Sequence, residues 1–153
     1  MGVTDDLAWL KDPTQPWLRD PVLLERWFLI LALTIAIDFD GVLHPYTDGW
    51  TGSVPADEPP MPGAGDFLVA LKSRDFRLVV FSTRCDHPEG LAGTIAWLEK
   101  WGLMPYIDDV TCQKPAAVAY VDDRAVPFQG SWSDVWTGID RLMAGRAHGA
   151  GHG

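Results

Sequence analysis

Residues 35–44 read "IAIDFDGVLH", an apolar run that ends in two aspartates one residue apart and is followed at once by a glycine. In a strand, side chains alternate between faces, so Asp38 and Asp40 project to one side, roughly 7 Å apart, while Phe39 turns to the other. Carboxylates that close repel and raise each other's pKa, so the pair is costly unless a cation or a proton settles it. The stretch predicts a buried strand that delivers two acids to its carboxyl end.

Working outward, the strand is expected over Leu33–Phe39. Upstream, Asp20 and Pro21 supply an N-cap and first-turn signal for a short helix over "VLLERWFL". The N-terminal extension, residues 1–32, is too apolar for a free tail; it is expected to dock on the sheet edge, cover the site or make a dimer contact. Downstream, the Pro- and Gly-rich "HPYTDGWTGSVPADEPPMPG" reads as an irregular loop, and Ala64–Arg74 as an amphipathic helix with Phe67, Leu68 and Leu71 on one face. "FRLVVFSTR" (76–84) is a second strand and "GLAGTIAWLEKWG" (90–102) a second helix closed by Gly102. "YIDDV" (106–110) and "AAVAYVDD" (116–123) are further strands. A last helix is expected over Asp134–Met143, with 144–153 as a flexible tail. The alternation predicts an α/β fold, a mainly parallel sheet flanked by helices.

Composition sets the outer limits. The chain has 153 residues, 47% of them hydrophobic and 22% charged, which suits one domain with a substantial core. A net charge of −9 argues against strong nucleic-acid binding, since that needs Lys and Arg to displace counterions. Cys85 and Cys112 form no disulfide framework, and a cytoplasmic location is expected. The longest apolar run, Trp27–Ile37 with Thr34 inside it, covers eleven residues, against the roughly 20 that span a bilayer.

In an open parallel sheet the ligand crevice lies beyond the carboxyl ends of the strands. The chain puts "DFDG" after its first strand, "STR" after its second, "QK" between its third and fourth and "DDR" after its fourth. Every chemically capable cluster therefore falls near one edge. In order and approximate spacing, "DFDGVL", "VVFSTR", "QKP" and "YVDDR" resemble the four motifs of the haloacid dehalogenase (HAD) superfamily of phosphotransferases. The resemblance covers roughly residues 33–143. It implies a HAD-like Rossmannoid catalytic domain over that span, an Mg2+ ion and catalysis through an aspartyl-phosphate.

By that resemblance Asp38 matches the nucleophile and Asp40 the general acid and base, which must hold a proton to give to the leaving oxygen. Ser82 matches the hydroxyl that holds a phosphoryl oxygen, with Thr83 sharing the task through its backbone N–H. Lys114 matches the cation that balances Asp38 and the transferring phosphate. Asp122 and Asp123 match the acids that hold the metal with Asp38 and the carbonyl of Asp40, an all-oxygen set that suits Mg2+. The acid at position 40 separates a phosphatase or phosphomutase from a dehalogenase, whose halide leaves without a proton, and the lack of a long insertion disfavours a mutase. Residues 42–62 are too few for a separate cap domain, so the site is expected to be open under a mobile flap, or closed by another subunit in a homo-oligomer. His44, Arg84 and Arg124 are candidate substrate contacts; either arginine can equally pair with the site's own acids. Trp50 and Trp132, in loops near the same edge, could stack on a base or sugar.

The expected activity is that of a Mg2+-dependent phosphomonoester hydrolase acting on a phosphorylated substrate. A nucleotide or nucleic-acid-end phosphatase and a non-catalytic binding or regulatory protein of the same fold are the alternatives.

Overall fold

The computed structural model describes residues 34–149, preceded by Asp20–Val22, Glu25, Arg26, Leu29 and Leu33. Pro21, Val22, Glu25, Arg26, Leu29 and Leu33 are helical, and Asp20 Oδ1 accepts the Val22 N–H at 2.9 Å, as an N-cap does. The rest of the expected N-terminal helix and residues 1–19, with the docking role proposed for them, lie outside the described residues.

The chain forms two compact units, residues 1–121 and 122–153. The first holds the sheet. Strands β1 (Thr34–Asp38), β2 (Arg77–Phe81), β3 (Asp109–Thr111) and β4 (Ala119–Val121) pair in the order β3-β2-β1-β4, all parallel. Helices α1 (Ala64–Lys72) and α2 (Pro88–Lys100) form the crossovers from β1 to β2 and from β2 to β3.

Alternation in the strands divides the sheet's two faces. Ile35, Ile37, Leu78 and Val80 join Leu68 and Leu71 of α1 and Trp97 and Leu98 of α2 in one apolar cluster, which Phe39 and Leu43 extend past the end of β1. Thr34, Ala36 and Val79 are also buried, at 0% exposure. Strands covered on both faces are what parallel sheets require, and they explain the unbroken apolar runs.

Backbone caps set the helix ends. In α2, Pro88 occupies the first turn, where its missing N–H costs nothing, so the helix begins two residues before the expected Gly90. It ends in a Schellman motif: Leu103 N–H donates to Leu98 O at 2.8 Å, Gly102 N–H to Glu99 O at 3.0 Å, and Gly102 takes φ +69°. The same pattern closes α1, with Asp75 at φ +61° and Phe76 N–H returning to Leu71 O.

The third strand is shorter than expected. Met104–Tyr106 forms a 3-10 turn instead, and Asp108 Oδ2 accepts Leu78 N–H and faces the Lys72 ammonium at 2.8 Å. That side chain ties the end of α1 and the start of β2 together just before β3.

In the second unit, α3 (Trp132–Gly149) starts at Trp132, which is therefore helical rather than in a loop. It continues through residues 144–149, where a flexible tail was expected. Gly138 lies against Val126 so closely that an added Cβ would be 2.6 Å from a Val126 methyl.

Gly90 is a sharper case of the same constraint. A Cβ there would lie 1.9 Å from the backbone oxygen of Arg84 and 2.8 Å from its carbonyl carbon. Gly90→Ala must displace main chain and should cost about 1–3 kcal/mol or more, read as a lower urea midpoint at an unchanged m value.

Candidate functional site

The strand order locates the site before any side chain is considered. From β1 the chain steps to β2 and β3 on one side, then returns to place β4 on the other side of β1. Strand order reverses at the β1/β4 boundary, and in open parallel sheets ligands bind beyond the carboxyl ends at such a reversal. Ile37 pairs with Val121, so the residues next in chain after that pair are Asp38 and Asp122. On the other flank, Asp38 pairs with Phe81, and Ser82 comes next.

Asp38 is half-buried, and its Oδ1 accepts the Phe39 N–H at 2.7 Å. Register pairs Asp38 with Phe81 and Ala36 with Tyr120, so these four side chains share one face of the sheet. The Lys114 ammonium lies 4.2 Å from the Tyr120 ring, which carries it to the face that bears Asp38. Ser82 is buried; its Oγ accepts Arg84 N–H at 3.2 Å, capping the 3-10 turn Thr83–Asp86, and its O–H remains a donor. Thr83 opens that turn and is exposed.

Asp40 differs sharply from Asp38. The chain turns at Phe39–His44, with Gly41 at φ +86°, and brings Asp40 against a wholly buried arginine: Arg84 Nε donates to Asp40 Oδ2 at 2.7 Å. Asp40 Oδ1 is buried and has no hydrogen-bond partner among the described residues. Of the two readings of Arg84, anion holder or partner of the site's own acids, the geometry gives the second. The guanidinium also donates to the Gly52 and Ser53 carbonyls. It packs 4.5 Å from the Trp50 ring centroid and 5.8 Å from that of Tyr46.

His44, a candidate substrate contact by its place after "DGVL", is buried at 1% exposure. Its ring stacks on Phe39 at 5.4 Å and meets Trp97 edge-on. Nε2 donates to Ala56 O at 2.9 Å, which leaves Nδ1 to accept Tyr46 N–H at 3.0 Å. Both nitrogens are engaged in holding the loop, and Nδ1 also lies 3.7 Å from Asp40 Oδ1.

Further contacts tie residues 43–61 to the sheet edge and to α2. Met61 N–H donates to Leu43 O at 2.9 Å and closes the loop at its base. Trp97 Nε1 of α2 donates to Glu58 O at 2.9 Å, and Lys100 pairs with Asp57 at 2.5 Å. Residues 43–61 form no helix or regular strand, yet they are fastened at both ends and along their length. Tyr46 was not flagged by the sequence; it takes φ +60°, a strained conformation for a bulky residue.

In the second unit, Asp122 Oδ1 accepts Arg124 N–H at 2.7 Å, and Arg124 Nε lies 3.9 Å from Asp123 Oδ1. Arg124 thus turns toward a neighbouring acid. Cys85, beside Arg84, is buried, and that burial pushes its thiol pKa up.

Compared with protein-family models, with curated proteins and with solved structures, the chain matches none. No helix among the described residues is long and apolar enough to cross a membrane.

Two outcomes follow from this geometry. Arg84→Met strands a buried carboxylate and should cost about 3–5 kcal/mol in urea denaturation, with part of the loss recovered by adding Asp40→Leu. In the native protein a thiol reagent should modify the exposed Cys112 quickly, and Cys85 only on unfolding, as counted by mass spectrometry.

Proposed function

We propose that the chain is a Mg2+-dependent phosphomonoester hydrolase with a HAD-like Rossmannoid fold, working through an aspartyl-phosphate on Asp38. The observation that carries this reading is the reversal of strand order at β1/β4. It sets the carboxyl ends of β1 and β4 side by side, and this supports a reading that otherwise rests on the motifs' resemblance to that superfamily.

The donor set fits the ion. Asp38, Asp122, Asp123 and the carbonyl of Asp40 offer only hard oxygens, which suit Mg2+ and disfavour softer metals. When bound, the ion neutralises phosphate charge and so permits a carboxylate to attack an anion.

The residues divide the remaining work. Asp38 attacks phosphorus, the bond from phosphorus to the ester oxygen breaks, and that oxygen takes a proton from Asp40. Water then attacks the phosphorus of the acyl phosphate and gives its proton to Asp40; inorganic phosphate leaves and the Asp38 carboxylate is restored. Ser82 and the Thr83 N–H hold phosphoryl oxygens, and Lys114 balances charge on the Asp38 face.

Hydrolysis of p-nitrophenyl phosphate with Mg2+, abolished by EDTA and restored by added Mg2+, is the direct test. Asp38→Asn should lower turnover by at least about 10³-fold. Asp40→Asn should slow an alkyl phosphate more than p-nitrophenyl phosphate, whose leaving group needs no proton. Wild-type activity in Asp38→Asn, or no turnover across a panel of phosphate esters, would overturn the reading.

A further inference from the structure

We propose that Trp50 is a specificity-determining stacking platform, and that the substrate class it selects is nucleoside monophosphates. The inference rests on the phosphomonoesterase reading and adds the identity of the leaving group.

The indole is 53% exposed although one of its faces is taken, lying 4.5 Å over the Arg84 guanidinium. Shielding the cation therefore accounts for one face only. An indole left half in water on a loop end usually moves with it, whereas this one is anchored on both sides. Arg84, at 0% exposure, grips the carbonyls of Gly52 and Ser53 just after it. His44 grips Tyr46 and Ala56 around it. Tyr46, held at φ +60° with its ring 5.8 Å from the same guanidinium, adds a strained residue to the same small region, as binding sites often do.

The platform is registered against the acid that meets the leaving group. Two contacts, 4.5 Å from indole to guanidinium and 2.7 Å from guanidinium to carboxylate, separate Trp50 from Asp40. The ring of an aryl phosphate is bonded to the ester oxygen itself and reaches only a short way from it. A nucleobase is held off from its ester oxygen by a sugar, which gives the reach that Trp50 demands. Every base has a π-face, so such a platform reads flatness rather than sequence. The net charge of −9 disfavours a polynucleotide and leaves the mononucleotide.

Adenosine 5′-monophosphate and ribose 5-phosphate, which carries a hydroxyl at C1 in place of the base, form the test pair. For the intact chain in Mg2+, kcat/KM should favour the nucleotide by about tenfold, the difference lying in KM. Trp50→Ala should bring the ratio toward one, and Trp50→Phe should keep most of it. A role confined to shielding Arg84 would instead lower both esters together and leave the ratio alone. Calorimetric binding of the nucleotide to Asp38→Asn, with and without Trp50→Ala, reads the same contact without turnover. If hydrolysis is absent but binding depends on Trp50, the hydrolase reading fails and the platform stands. If both esters turn over with a ratio near one, or Trp50→Ala leaves the ratio or the affinity unchanged, the platform is refuted. A preference for phenyl phosphate over the nucleotide would refute the spacing argument.

Discussion

A guanidinium at zero exposure is the constraint on which the rest of this site depends. Removing Arg84 from water is expensive and is tolerated only if its charge is paired and its donors are satisfied. Asp40 supplies the charge, Gly52 and Ser53 supply carbonyls, and Trp50 covers the planar face. These partners come from two parts of the chain: the turn after β1 and the long loop before α1 both meet a residue from the turn after β2. One side chain therefore fixes three segments that have little regular structure. It also restricts α2, because the Arg84 carbonyl leaves no room for a side chain at residue 90.

The loop of residues 43–61 has too few apolar residues and too much Pro and Gly to build a core of its own. It borrows order from the sheet edge through Arg84 and His44, and from α2 through Trp97 and Lys100. The Lys100 pair is exposed and adds little. The buried contacts of Arg84, His44 and Trp97 carry the stability, since each would leave an unsatisfied polar atom if broken.

The sheet was legible in the sequence because its information is local. Apolar runs ending in polar clusters gave the strands, Gly102 closed α2, and the motif order placed Asp38, Ser82 and the acids after Val121 at the carboxyl edge. The errors also have local causes. Pro88 outranked the apolar pattern in starting α2, and Asp108 turned its side chain back onto Leu78 where a strand residue was expected. Expectations for His44 and Arg84 stayed open for another reason: their partners lie 12 and 44 residues away in the chain, and no spacing rule reports a pairing of that range. Tyr46 gave no signal, because nothing in the letters shows that an aromatic residue will be held at positive φ.

The two aspartates of the opening stretch show how much one turn can do. As a strand pattern they are equivalent, one pleat apart on the same face. The strand ends at Asp38, however, and the Gly41 turn swings Asp40 into a different environment. Asp38 stays at the strand end, half-buried and oriented by the next residue's N–H. Asp40 becomes a buried acid with one oxygen clamped by a cation and the other without a hydrogen bond, 3.7 Å from His44 Nδ1. A single glycine-containing turn thus gives two carboxylates one residue apart quite different surroundings.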